Sequence, residues 1–301
     1  MSSELAGSFS WEIAFAAQAA CVLEADAPKP GNVNRHHDFD DATLEDFHLS
    51  GLAIGRPLGC VAALGVGKTV LEALRATRQC TSTNTNLGIL LLLAPLGLAW
   101  SRIRGGQGSV CAKELPGLWK NEMRRVLDNL TAEDTAHVYQ AIRLASPGGL
   151  GEAAEYDVNR DAPQVTLLET MRAAADRDLI ARQYADGFSL VLGEGQDTFA
   201  AALEKGAALP DAITETFIFL LSRHPDTLIA RKLGSQRSEE VQRLAQRVRA
   251  GSLNIQEFDR LLRAEKHALN PGATADLTAA IIFVRLLEEN IHGTLFMRDT
   301  N

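Results

Sequence analysis

Apolar residues recur along most of this chain at three- and four-residue intervals, the spacing that lines one face of an α-helix. In FSWEIAFAAQAACVLEA, residues 9–25, the positions i, i+4, i+8 and i+11 are Trp11, Phe15, Ala19 and Val22. The spacing predicts a helix whose apolar stripe runs through those four. ITETFIFLLSR, VQRLAQRVRAG and IQEFDRLLRAEKHAL repeat the period, and Gly251 stands just past the second of them as a C-terminal stop. Two stretches are denser. Leu87 to Trp100 is almost wholly apolar but shorter than the ~18–20 residues of a spanning helix, and Pro95 and Gly97 interrupt it. It predicts a core helix, kinked or broken at Pro95. From Leu277 to Leu287 the chain is apolar on nearly every side, which predicts a central buried helix. Sustained period-two alternation is missing from the sequence, and no Asn-Gly or Asp-Gly pair stands between two such runs as a hairpin turn. The expectation is an all-α, bundle-like fold of about a dozen helices around a buried central one, forming a single domain over residues 1–301.

Composition narrows the partners. The 301 residues are 46% hydrophobic, enough for a sizeable core, and carry a net charge of −8. That balance argues against nucleic acid and against an anionic membrane surface, while a local basic pocket for a small anion stays open. Cys21, Cys60, Cys80 and Cys111 are scattered without a C-x-x-C pair, so neither a disulfide framework nor a zinc site is expected. The first twenty residues contain Glu4 and Glu12 and lack a basic segment ahead of their apolar stretch, unlike a signal peptide. The expected compartment is the cytoplasm. A homodimer is left open.

Several short polar stretches carry candidate chemistry. GVGKT, residues 65–69, is not a phosphate-binding P-loop, because Ala62 stands where that pattern needs its first glycine and no strand leads in. A small-residue contact between helices is the better reading. APKPGNVNRHHDFDD, residues 27–41, places Lys29 between two prolines and ahead of Gly31. The stiff backbone would hold Lys29 and Arg35 where they could clamp phosphate, with His36, His37, Asp38, Asp40 and Asp41 as metal-ligand candidates. Taken alone, the stretch reads sooner as a solvated helix-entry loop with an aspartate cap, since such capping is common. TSTNTNLGILLLL, residues 81–93, sets Asn84, Thr85 and Asn86 at the opening of a buried helix, where one cap would suffice. SPGGLGEAAEYDVNRDAP, residues 146–163, brings Glu152 and Glu155 to i, i+3 on one predicted helical face, with Asp157 nearby. In SRHPDTLIARKLG, residues 222–234, Asp226 follows Pro225 as a cap, and Arg231 and Lys232 suit the helix C-terminus. ALNPGATADLTAA, residues 268–280, presents Asp276 among small residues just after an Asn-Pro-Gly kink.

In order, these stretches resemble the triphosphoribosyl-dephospho-CoA synthase family over nearly the whole chain, from about Glu24 to Leu287. The resemblance rests on E-x-x-x-P-K-P-G-x-V-x-R at Glu24–Arg35, N-T-x-L-G at Asn84–Gly88 and G-E-A-x-E at Gly151–Glu155. D-T-L at Asp226–Leu228 and L-N-P-G-x-x-A-D-L at Leu269–Leu277 complete the series. It implies an all-α fold and transfer of the 5-triphosphoribosyl group of ATP to the 2′-hydroxyl of 3′-dephospho-CoA, with adenine released. It also implies Mg²⁺ accompanying ATP. Glu152, Glu155 and Asp276 would serve the chemistry, and Glu152, Glu155 and Asp226 the metal. Lys29, Arg35, Asn84, Thr85, Asn86, Asn270 and Gly272 would bind substrate. The family usually has Asp and His where this chain has Asn34 and Asn86, and HHDFDDATLEDF replaces a stretch containing glycine and histidine. Those departures leave room for another acceptor, such as a precursor in a one-carbon pterin cofactor pathway. A helical protein that only binds nucleotide is the reading from a different class.

Overall fold

The computed structural model describes residues 9–106, 111–146 and 155–292, with side chains as far as Glu289. Their regular structure is helical, apart from one isolated bridge between Asn34 and His37. In chain order the helices are α1 (Trp11–Asp26), α2 (Leu44–Ala53), α3 (Gly55–Gly59), α4 (Val61–Leu64), α5 (Val66–Thr77) and α6 (Leu87–Gly106). A 3₁₀ turn, Ala112–Glu114, leads into α7 (Leu115–Asp128) and α8 (Ala132–Ala145). Then come α9 (Leu167–Ala174), α10 (Leu179–Ala185), α11 (Ser189–Leu192), α12 (Glu194–Glu204) and α13 (Leu209–Arg223). The last four are α14 (Thr227–Leu233), α15 (Ser235–Arg249), α16 (Ile255–Arg263) and α17 (Gly272–His292). The all-α expectation holds. The described helices outnumber the expected dozen because short pieces such as α3, α4 and α11 are too brief to show a period.

α17 is the expected central helix: Leu277, the run Ala279–Val284, Leu286 and Leu287 are all buried. It packs against α1, α6 and α13. α1 is where the sequence pattern misleads. Its cap is Ser10, whose hydroxyl accepts the Ile13 amide at 3.3 Å. Its inward face, however, is Ile13, Ala16, Ala17, Ala20, Cys21 and Glu24, while Trp11 is 67% exposed and Phe15 39%. The small side chains win the inward face because a row of alanines lets α17 approach closely, which the bulky stripe would prevent.

α6 corrects a second expectation. It runs unbroken through Pro95 for 20 residues. A proline at that position deprives the carbonyl four residues earlier, that of Leu91, of its helical donor. The buried Tyr184 hydroxyl donates to the Leu91 oxygen at 2.6 Å and fills the vacancy. By length and composition this helix could cross a membrane, yet most of it is buried inside the protein. The GVGKT stretch is a helix contact, as expected: the Gly67 amide donates to Asp134 Oδ1 at 2.8 Å. A Cβ on Gly67 would lie 2.5 Å from the Asp134 Cα.

Two apolar clusters result. The larger joins α1, α5 to α10 and α17; the smaller gathers Phe217, Leu221, Ile229, Phe258 and Leu262 from α13 to α16. α6, α10, α14 and α17 all begin at the wall of one cavity, and the C-terminal turn of α1 reaches it.

Candidate active site

The cavity has a volume of about 1070 Å³, at the upper end of the range for small-molecule sites and roomy enough for a nucleotide and a second ligand. Asp276 stands at its wall in the second turn of α17. It is half-buried, and no described residue donates a hydrogen bond to it or forms an ion pair with it. Burial pushes its carboxyl well above the usual carboxylate range, and the negative charges of Glu24, Asp226 and Asp178 push it further, with Arg231 opposing. The approach of α6 to this group requires Gly88, since a Cβ there would lie 2.0 Å from Asp276 Oδ2. This explains the glycine of the N-T-x-L-G stretch. Gly272, also at the wall, passes Leu228 so closely that a Cβ would meet Leu228 Cδ2 at 2.5 Å.

The asparagines and threonine that open α6 all line the cavity. Asn84 is exposed to it, its Oδ1 accepting the Leu87 amide at 3.3 Å. Thr85 donates to Ser50 Oγ at 2.6 Å, and the Asn86 amide nitrogen lies 3.0 Å from Thr77 Oγ1. Those two therefore tie the start of α6 to α2 and α5 as well as bordering the site. Asn270 lines it too, with its buried Oδ1 unpartnered among the described residues.

Other expected site residues lie elsewhere. Lys29 is fully enclosed, its ammonium 3.0 Å from Glu24 Oε1 and donating to the carbonyls of Glu24 and Ala27. It cannot reach a phosphate. Arg35 points to the surface and pairs with Asp26 at 3.2 Å. Asp226 is fully buried and saturated: Oδ1 accepts the Leu228 and Ile229 amides, and Oδ2 accepts the Thr274 amide and hydroxyl. It caps α14 and grips the first turn of α17, leaving no lone pair for a metal. Glu155 is exposed in a bend rather than on a helix and does not line the cavity, whereas Asp157, two residues on, does. Glu152 lies outside the described residues. The loop candidates His36, His37, Asp38, Asp40 and Asp41 do not gather, and the described residues hold no cluster of three metal-ligating side chains. Instead Asp38 accepts the Leu44 amide, and Thr43 with Asp46 forms the capping box of α2. Asn34, one of the departures, is buried in the turn, bonding the carbonyls of Lys29 and Asn32.

The cations at the cavity are others. Arg231 lines it with a buried Nε unpartnered among the described residues, while its Nη1 rests 3.4 Å from Asp178 Oδ2. Asp178 is itself fixed by the Ile180 and Ala181 amides, which it caps at 2.8 and 3.1 Å. Lys232 follows, its ammonium pKa lowered by burial and by the neighbouring Arg231. Arg78, Arg177 and Arg182 line the cavity as well. In sequence Arg231 and Lys232 look like cations matched to a helix C-terminus, and nothing marks Asp178 at all. Only the fold brings them to Asp276.

A model of the ATP:dephospho-CoA triphosphoribosyl transferase family matches residues 10–294. The chain belongs to that family. A probable 2-(5″-triphosphoribosyl)-3′-dephosphocoenzyme-A synthase of Citrobacter koseri is 25% identical over 299 residues, spanning 88% of this chain and 87% of the relative. A protein of the same description from Vibrio cholerae is 30% identical over 143 residues, 40% of this chain and 45% of the relative. Among solved structures, a candidate triphosphoribosyl-dephospho-CoA synthase from Archaeoglobus fulgidus superposes with a TM-score of 0.60 at 25% identity. That match covers 79% of this chain and 97% of the archaeal one. The chain is thus a transferase of this family, and both the fold class and the resemblance read from its motifs agree with the comparisons.

Proposed function

We propose that the protein moves the 5-triphosphoribosyl group of ATP onto the 2′-hydroxyl of 3′-dephospho-CoA and releases adenine, and that Asp276 is its central acid–base residue. The observation that carries the assignment is a carboxyl group without a hydrogen-bond donor among the described residues, at the wall of a cavity that Arg231 and Lys232 also line, and held against Gly88. Cleaving the N-glycosidic bond builds positive charge on C1′ and the ring oxygen, which nearby carboxylates stabilise, and it requires proton movement at both oxygen and nitrogen. A carboxyl whose pKa is raised by burial and by neighbouring negative charges is suited to that movement.

Arg231 and Lys232 take the phosphate role first expected of Lys29 and Arg35. A guanidinium anchored on Asp178 with a free Nε offers a fixed donor to a phosphoryl oxygen. Tyr139, Tyr156, Ile142 and Met171 line another part of the cavity, an apolar and aromatic surface suited to a purine or a pantetheine arm. Magnesium would accompany ATP and neutralise charge on its phosphate oxygens, a chemistry that hard oxygen ligands suit. The four free cysteines, two of them exposed, support work in a reducing cytoplasm.

The test is incubation with ATP, Mg²⁺ and 3′-dephospho-CoA, followed by chromatography and mass spectrometry. Free adenine and a CoA derivative heavier by one triphosphoribosyl group should appear in equal amounts. Adenine without that product would assign the same site to another acceptor. ATP bound but left intact would refute the transferase reading.

A further inference from the structure

We infer that Glu24, positioned by Lys29, is a second catalytic carboxyl group, the one that takes the proton of the attacking hydroxyl. The inference rests on the ribosyl-transfer reading and adds to it a residue that reading leaves unused. Glu24 is the charged residue on the inward face of α1, in the helix's last turn, and it lines the same cavity as Asp276. α1 and α17 pack directly on each other, so the two carboxyl groups reach the cavity from adjacent helices. The buried Cys21 between them feels the charge of both.

The loop after α1 is built around this glutamate. Pro28 and Pro30 stiffen it, the Lys29 amide donates to the Ala27 carbonyl at 2.7 Å, and the Gly31 amide donates to Asp259 Oδ1 at 2.8 Å. Gly31 has φ +73° and lies against Leu262, where a Cβ would be 2.7 Å from the leucine's own, so glycine is required on both counts. The product of this construction is one enclosed ammonium 3.0 Å from Glu24 Oε1. That oxygen has no aligned hydrogen-bond donor among the described residues. A buried ion pair is a poor way to gain stability, since an apolar pair of similar volume commonly does as well or better. Placed at the wall of a site that must move protons, it has a chemical use.

Two carboxyl groups in unlike settings divide the work. Burial raises the Glu24 pKa, and the fixed cation 3.0 Å from its Oε1 acts in the opposite sense, favouring the ionised form. Asp276 has no hydrogen-bonded partner among the described residues, and the Glu24 charge helps keep it protonated. In the transfer, a lone pair of the hydroxyl oxygen forms the bond to C1′, and the C1′–N9 bond breaks with its electron pair leaving on adenine. The hydroxyl proton passes to the Glu24 carboxylate, and the Asp276 carboxyl supplies the proton that adenine takes up. The pair ends with its proton moved from Asp276 to Glu24, and exchange with solvent resets it. The charged and titratable groups around them are Lys29, Cys21, Asp26 and Arg263 on the Glu24 side, and Asp226, Asp178 and Arg231 on the Asp276 side.

The pH dependence of kcat/KM for adenine release in wild type, Glu24→Gln, Lys29→Met and Lys29→Arg tests both roles. Glu24→Gln should lose ~10²–10⁴-fold in rate together with the acid limb of the profile. Lys29→Met should shift the acid limb to higher pH, because the carboxylate loses its cation, and Lys29→Arg should move it back. Circular dichroism and melting of each variant show whether it is folded. If Lys29→Met fails to fold, the double variant Glu24→Gln/Lys29→Met removes both charges and allows Glu24 to be judged. An active Glu24→Gln within threefold of wild type, or an acid limb unmoved in Lys29→Met, would overturn the inference without touching the transfer reaction. A second measurement needs no turnover: infrared difference spectra of the carboxyl stretch against pH. The band that Asp276→Asn abolishes should titrate at lower pH in Glu24→Gln than in wild type. An unmoved midpoint would show that the two groups are not a pair.

Discussion

Asp276 is a residue the fold holds at a cost. A half-buried carboxyl near other acids, without a donor among the described residues, keeps its proton in the folded state well above the pH at which the unfolded chain gives it up. With its folded pKa raised, its contribution to stability is fully present below the unfolded value of ~3.9 and is lost as pH rises through the folded one. Asp276→Asn removes that loss. The variant should melt above wild type at neutral pH, the gap closing as pH approaches 4, while turnover falls ~10²–10⁴-fold. Thermal melts across pH beside adenine-release assays check both halves. A variant that is both inactive and less stable at neutral pH would mean that the carboxylate is structural. Asp226 differs although it is also acidic and more deeply buried, because four donors occupy its oxygens. Sequence alone could not tell these two aspartates apart. Each follows a proline by a few residues near a helix start, and the difference lies in whether Thr274 turns towards it.

At the scale of the helix, Asp226 is a joint. It caps α14 through Leu228 and Ile229 and fastens the first turn of α17 through Thr274, while its own carbonyl accepts the Ser238 hydroxyl of α15 at 2.7 Å. Asp226→Ala should destabilise the protein by about 2–4 kcal/mol, from the lost caps and the buried donors left unpaired. Denaturant unfolding measures this. ATP affinity in the variant still folded at low temperature should stay within a few-fold of wild type, whereas a metal ligand would show a large loss that added Mg²⁺ partly restores. The helices were legible because their periods were strong, and α17 was legible as central because its apolar run has no polar side. The inward face of α1 was not, since hydrophobicity ranks tryptophan and phenylalanine above alanine and says nothing of how closely a neighbour must come. Pro95 misled for a related reason. Its effect on α6 depends on the Tyr184 hydroxyl, nearly a hundred residues away. The Pro-Lys-Pro-Gly stretch was rightly singled out as rigid, but its lysine turns inward to Glu24.

For the molecule as a whole, the cavity is the place where the starts of α6, α9, α10, α14, α15 and α17 and the end of α1 meet. The chain is acidic overall, at −8, and the cavity is no exception, since seven carboxyl side chains share its wall with Arg78, Arg177, Arg182, Arg231 and Lys232. A polyanionic substrate is therefore held by individually placed cations rather than by the net field of the site. Arg231 is the member whose geometry is fixed from behind, by Asp178. Arg231→Met should raise the KM for ATP by ~10- to 100-fold, the loss of one or two charge-assisted hydrogen bonds, with a smaller change in kcat. Lys232→Met should act in the same direction but less, because an ammonium on a flexible stem is a looser contact than an anchored guanidinium. Raising the salt concentration should weaken ATP binding to wild type more than to Arg231→Met, since the variant has already lost the interaction that salt screens. Steady-state kinetics at two ionic strengths, with ATP-induced shifts in melting temperature as a turnover-free check, decide the matter. If Arg231→Met binds ATP as wild type does, the triphosphate lies elsewhere in the cavity, towards Arg177 and Arg182, and the same pair of substitutions at those positions would locate it.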